Sequence, residues 1–211
     1  MTKLALLTGG AGSIGGATAA LLRERGWGVI VPSRRQCNWT EILDVADLSD
    51  TLKLELDAVI FCHGDWYWSR DQSVADWDEQ YRSRVSLPAD FLRQMSAAIR
   101  GGVVIMVAST RGFIGGVENA PYASACAAQI ALMIGCAREM NHTRFNVICP
   151  GLTRSKLGDQ VIATGGAKPD AVPQDPAAVA AAIVSLVEGD ETGQVLRVVD
   201  GQTTRARWVW E

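Results

Sequence analysis

The chain has little of what marks several common classes of protein. It carries only two histidines, His63 and His142, and they lie far apart in sequence. Its five cysteines (Cys37, Cys62, Cys126, Cys136, Cys149) are odd in number and show no paired metal spacing. Neither a zinc site nor a disulfide framework is expected, and reduced thiols in a cytoplasmic protein fit that usage. A formal net charge of −3 gives no basic field for nucleic acid or an anionic membrane. No long apolar run reads as a membrane span. The apolar N-terminus runs straight into a glycine turn, so it reads as a strand and not as a signal peptide. There is no internal repeat, low-complexity linker or second-domain boundary.

What is present is alternation. Short β-branched apolar runs fall at 3–8, Val29–Val31, Glu41–Leu43, Ala58–Cys62, 103–107, 144–149 and Val195–Val199. Between them lie helical patterns. One runs through Ile14, Ala17, Leu21 and Leu22 and stops at Gly26; others cover 47–55, 73–99 with Pro88 as a kink, 120–140, and Pro176 to 188. Residues 150–173 read as a glycine- and proline-rich loop. Continuous apolar strands between helices predict a parallel sheet covered on both faces. Right-handed crossovers then give a single-domain α/β Rossmann fold, doubly wound, with about seven strands over 1–211.

The first strand ends in Thr8-Gly9-Gly10-Ala11-Gly12-Ser13-Ile14-Gly15. Glycines let the backbone approach a pyrophosphate, and the following helix N-terminus supplies free N–H groups and partial positive charge. The spacing is Gly9-x-x-Gly12-x-x-Gly15, and a plain strand–helix turn is the competing reading. The second strand runs out through Val31-Pro32-Ser33-Arg34-Arg35 without an acid to bind a ribose 2′-hydroxyl. A hydroxyl with guanidiniums suits a 2′-phosphate, so NADP(H) is favoured, with NAD(H) as the alternative.

On these residues the chain resembles the short-chain dehydrogenase/reductase family along nearly its whole length. Gly9, Gly12, Ser13, Ile14 and Gly15 look like the family's glycine motif. Asp44-Val45 resembles the pair that contacts the adenine. Ser109 precedes Tyr122 by the family's thirteen residues. Pro150-Gly151 resembles the turn beside the nicotinamide, and Ser155 falls where a threonine commonly holds the carboxamide. His63-Gly64 replaces part of the Asn-Asn-Ala-Gly stretch after the fourth strand. The resemblance implies Tyr122 as proton donor or acceptor and Ser109 as a hydrogen bond to the same substrate oxygen. It also implies a homodimer or homotetramer acting on a small molecule.

The chain departs from the pattern at Tyr122-Ala123-Ser124-Ala125-Cys126, where Cys126 holds the family's lysine position. The active-site asparagine position aligns with Arg84. A lysine about 5 Å away at an effective dielectric of 20 is worth roughly 3 kcal/mol to a tyrosinate. Without a substitute cation, Tyr122 is expected to titrate near its ordinary value of about 10. Arg84 and Arg111 are the candidate substitutes, Arg111 on the premise that the chain stays extended past Ser109. Cys126 reads as an inert buried thiol. A protonated tyrosine serves reduction, so the residues point to an NADPH-dependent carbonyl reductase. The alternatives are a catalytically weakened nucleotide-binding sensor, or a non-redox reaction such as dehydration or epimerisation. Trp66, Tyr67, Trp68 and Trp77 are candidates for a pocket wall or a packing surface, and Trp208 and Trp210 for an interface.

Overall fold

The computed structural model describes residues 2–32, 55–64, 72–95, 98–99, 101–116, 118–168 and 170–207. The expected strand at 41–43, most of the expected helix at 47–55, and the calls on Ser33, Arg34, Asp44, Val45, Trp66, Tyr67, Trp68, Trp208 and Trp210 lie outside those residues.

Among the described residues the strands are β1 (Leu4–Thr8), β2 (Gly28–Ile30), β3 (Ala58–Phe61), β4 (Val103–Val107), β5 (Arg144–Pro150), β6 (Val195–Val199) and β7 (Gln202–Arg205). They form one seven-stranded sheet in the order β2-β1-β3-β4-β5-β6-β7. All neighbours pair in parallel except β6 and β7. The helices are α1 (Ser13–Glu24), α2 (Val74–Tyr81), α3 (Leu87–Met95), α4 (Arg111–Ile114), α5 (Ala120–Glu139), α6 (Lys156–Ala163) and α7 (Pro176–Glu188). A π-helical turn, Arg82–Ser86, joins α2 to α3.

Period-two alternation divides the sheet residues between two apolar layers. Leu6, Val59, Phe61, Val104 and Met106 pack with Phe91, Leu92, Ile130 and Met133 from α3 and α5. Ala5, Leu7, Ala58, Ile60, Val103 and Ile105 pack on the other face with Leu22 of α1 and Val179 and Ile183 of α7. Both faces of the inner strands are therefore dry, which is why they read as unbroken apolar runs. The doubly wound arrangement leaves a crevice beyond the C-terminal ends of β1 and β3, where the chain switches direction across the sheet.

Three details depart from expectation. β7 closes the sheet through Asp200-Gly201, both at positive φ, as an antiparallel hairpin. Its exposed polar sequence, Gln-Thr-Thr-Arg, carries no apolar alternation to reveal it. The loop over 150–173 contains α6, started by Ser155. α5, with 20 residues, is long and apolar enough to cross a membrane by length and composition, contrary to the sequence expectation. Its Tyr122, Ala125, Cys126, Ile130 and Met133 are buried, as a core helix requires.

The long helix breaks where Pro88 perturbs it. A proline ring clashes with the carbonyl four residues earlier, here Arg84, and offers no N–H to it. The π-turn over Arg82–Ser86 takes up that conflict by widening the helix just before the proline.

Candidate active site

The glycine turn begins at Gly9, whose φ of +70° is left-handed. A Cβ there would lie 2.6 Å from the Cys62 carbonyl oxygen and 2.7 Å from the His63 nitrogen. A Cβ at Gly15 would run into the Gly9 carbonyl oxygen. The turn is closed by the Gly12 N–H donating to Gly9 O at 2.9 Å and the Gly16 N–H donating to Gly12 O at 2.7 Å. Gly12 caps α1 without a side chain, and the first turn holds no acidic residue. The helix thus presents its positive end, with Ser13 and Ile14 leading, uncompensated by a carboxylate of its own.

Thr8 and His63 tie this turn to the next strand. The Thr8 hydroxyl lies 2.6 Å from His63 Nδ1. His63 Nε2 lies 2.9 Å from the Ser83 carbonyl oxygen, which can only accept. Nε2 therefore carries the proton, and in the neutral ring Nδ1 accepts from Thr8. The imidazole acts as a strut between β1, β3 and the π-turn, and both its nitrogens are engaged by the protein.

Beyond the strand ends opens a cleft of about 280 Å³. Ile14, His63, Gly64, Arg84, Ser109, Tyr122, Pro150, Gly151 and Ser155 all line it. The fold thus gathers the described site candidates into one place except Gly9, Gly12, Ser13 and Gly15, which form the adjoining turn, Cys126, buried behind Tyr122, and Trp77 on α2. Among the described residues no carboxylate lines the cleft, whereas Arg84 and Arg111 do.

Tyr122 sits in the first turn of α5, after Ala120 and Pro121, and is 7% exposed. Its hydroxyl faces Ser109 and Cys126, and both act on its ionisation. Cys126 is one helical turn on and wholly buried. Ser109 follows β4, and its Oγ accepts from the Arg111 N–H at 3.2 Å. The Arg84 guanidinium lies over the Tyr122 ring, 4.5 Å from the centroid. Burial pushes the Tyr122 phenol above its ordinary value, and the Cys126 thiol raises it further; Arg84 and the Ser109 hydroxyl oppose this. The expected titration near 10 is thereby corrected: a cation is present, but desolvation outweighs it. Burial also raises the Cys126 thiol, which is a poor nucleophile in that setting.

Arg111 departs from the expected geometry. The chain does not stay extended past Ser109; Thr110 is helical and Arg111 opens α4. Its guanidinium donates to the Gly115 carbonyl at 3.2 Å and to the Gly166 carbonyl, clasping α4 to the segment after α6. On the far wall the Gly151 N–H donates to Val198 O at 2.8 Å. The Ser155 hydroxyl accepts from the Gly158 N–H at 2.9 Å and donates to Thr153 O at 3.1 Å, capping α6. A hydroxyl has two lone pairs, so the cap leaves one acceptor position. Trp77 stacks with Tyr81 on α2 at 6.5 Å and is not a wall of the cleft.

Two contributors were not anticipated. Gln174 donates to Val198 O and Thr153 Oγ1 and accepts from the Gly201 N–H, pinning the 150–174 segment to the hairpin. Asn119 is 2% exposed, lines the cleft, and has a buried Oδ1 without a partner. Neither stands in a recognisable motif; only the position of Asn119 just ahead of α5 hinted at a role.

A seven-stranded, mostly parallel sheet flanked by helices, with a glycine turn at the switch point, defines a Rossmann-like α/β protein. The family model described as short chain dehydrogenase matches residues 70–165. The 3-oxoacyl-[acyl-carrier-protein] reductase FabG of Vibrio harveyi is 26% identical over 94% of this chain and 96% of its own. Among solved structures, a short chain dehydrogenase family protein from Francisella tularensis subsp. tularensis SCHU S4 superposes with a TM-score of 0.83 at 17% identity, covering 95% of this chain and 98% of that one. ElxO with NADP bound gives 0.83 at 19% over the same shares. A small-chain dehydrogenase in complex with NADPH gives 0.82 at 18% over the same shares. The family-model match spans less than half of the chain, and the solved structures carry the fold alone.

Proposed function

We propose that the protein is an oxidoreductase that uses NADPH to reduce the carbonyl of a small molecule. The observation that carries this reading is the Ser109–Tyr122 hydroxyl pair, set in a cleft whose other end is the glycine turn. That turn fits an anionic dinucleotide: its glycines let the backbone fold tightly against itself and the end of β3 ahead of the α1 N-terminus, and the first turn of α1 holds no acidic residue to oppose a phosphate. Gly9, Gly12, Ser13, Ile14 and Gly15 would hold the pyrophosphate. Gly64, Pro150, Gly151, Ser155 and Tyr122 would border the nicotinamide half, with His63 bracing the wall. Ser33, Arg34, Asp44 and Val45 would bind the adenosine half. The NADP and NADPH in the two neighbouring structures favour the phosphorylated cofactor.

When bound, the reduced cofactor supplies the two electrons and the hydrogen that reach the carbonyl carbon. The chain's part is the proton and the oxygen. Tyr122, protonated throughout the neutral range, donates its phenolic proton to the carbonyl oxygen. Ser109 hydrogen-bonds the same oxygen and orients it, and the phenolate is reprotonated from solvent.

The test is an NADPH titration by fluorescence followed by stopped-flow turnover on a panel of aldehydes and ketones. Tyr122→Phe is expected to retain NADPH binding and to lower kcat by about 10²- to 10⁴-fold. Tight NADPH binding with no turnover on any carbonyl would overturn the reductase. It would favour a second reading, a nucleotide-binding sensor, for which the neutral Cys126 in the lysine position is the supporting observation.

A further inference from the structure

We propose that Arg84 acts through Tyr122 as a positioning residue, supplying across the face of its ring the positive charge that position 126 does not carry. The meaning of this for catalysis rests on Tyr122 being the proton donor; the electrostatic claim does not. Among the described residues, three elements face the phenol: Cys126 on α5 and Ser109 after β4 at its hydroxyl, and Arg84 on the π-turn over its ring. Arg84 is the cation of that set.

The placement is built at some cost. Arg84 is 4% exposed, and a buried guanidinium persists only where partners hold it. Its Nε donates to Gln80 Oε1 at 3.1 Å, one turn earlier, and its Cζ lies over the aromatic ring. Its position depends on the π-turn. A regular helix advances about 100° per residue, so removing the widened turn would rotate Arg84 off Tyr122. Room for the guanidinium depends on Gly64. A Cβ there would lie 2.8 Å from Arg84 Cζ, and Gly64 has a φ of +143° that side chains rarely adopt. Pro88, the π-turn, Gln80 and Gly64 thus converge on one outcome: a fixed positive charge over the phenol. Both Tyr122 and Cys126 feel it as a field favouring their ionised forms.

The experiment measures tyrosinate absorbance against alkaline pH in the unliganded protein, each variant being referenced to the same variant carrying Tyr122→Phe. This readout needs no substrate, so it is independent of whether the reductase reading stands. Arg84→Gln is expected to leave on the order of 100-fold less Tyr122 ionised at a given pH. Arg84→Gln with Cys126→Lys is expected to recover at least a tenth of the loss and, where turnover is measurable, the pH profile of alcohol oxidation with it. If Arg84→Gln does not fold, Arg84→Lys serves: keeping the charge should hold the ionisation within about tenfold of the parent. A folded Arg84→Gln protein with unchanged Tyr122 ionisation, or an Arg84→Lys protein shifted by on the order of 100-fold, would overturn the proposal.

Discussion

Gly9 and Gly26 share a left-handed φ, +70° and +83°, but differ in what surrounds them. Replacing either by alanine moves an L-residue into that region, at about 1–2 kcal/mol. At Gly26 nothing lies within 4 Å of the added Cβ, so the conformational cost is the whole effect. At Gly9 the Cβ would sit 2.6 Å from the Cys62 carbonyl oxygen, where ordinary C···O contact needs about 3.3–3.6 Å. The obstacle is backbone. It cannot retreat without loosening the Cys62 N–H to Thr8 O bond and the Thr8–His63 contact. Overpacking of this kind adds about 1–3 kcal/mol. Gly26→Ala should therefore lose about 1–2 kcal/mol and Gly9→Ala about 2–5 kcal/mol. At roughly 2–4 °C per kcal/mol the excess in Gly9→Ala is a further Tm drop of several degrees. Chemical denaturation measures the stabilities, and fluorescence titration measures NADPH binding, expected to weaken at least about tenfold in Gly9→Ala alone. Equal destabilisation of the two variants would refute the close-approach argument. Unimpaired NADPH binding in Gly9→Ala would separate the turn from the cofactor.

The raised Tyr122 phenol sets the pH dependence. Reduction needs the protonated form, so its rate should be flat from about pH 6 to about pH 9, while alcohol oxidation should rise about tenfold per pH unit over that range; an oxidation plateau below about pH 9 would contradict the assignment. The same proton is held more tightly in the folded protein, so its contribution to stability is complete below about pH 10 and declines above it. Ser155→Ala removes the acceptor of the Gly158 N–H at the start of α6. It should cost about 1 kcal/mol by denaturant titration and raise KM for the cofactor; unchanged stability would show the cap to be idle.

Much of the fold could be read from the sequence because the determining signals are local. β3 and β4 lie where apolar runs meet turn residues, and α7 starts at the proline after its Asp175 cap. α1 ends at Gly26, whose N–H donates to Arg23 O while the Trp27 N–H donates to Leu22 O. The candidate site was legible where spacing along one element carries it: the turn from Gly9 to Gly15, and Tyr122 with Cys126 one helical turn apart. Legibility failed where position depends on distant chain. β7 forms because β6 offers an edge, not because Gln202–Arg205 is strand-like. Arg111 is tied to backbone because Thr110 begins a short helix, and the Gly115 carbonyl and the distant Gly166 carbonyl take up its guanidinium. α6 hid in a glycine-rich stretch whose cap, Ser155, had been read only as a ligand.

Arg84 marks the boundary most clearly. The sequence by itself determined that an arginine stands inside a long helical pattern, that Pro88 follows four residues later, and that the position one turn after Tyr122 carries no cation. Those are facts of local chemistry, as are the glycine turn and the alternating strands. Only the tertiary structure decided that the strain at Pro88 becomes a π-turn and that Gly64 leaves space beside it. Only packing brings the guanidinium over a phenol 38 positions away in the chain. Charge and periodicity are written residue by residue, but a contact between a helix face and a ring exists only once both are folded onto the same sheet.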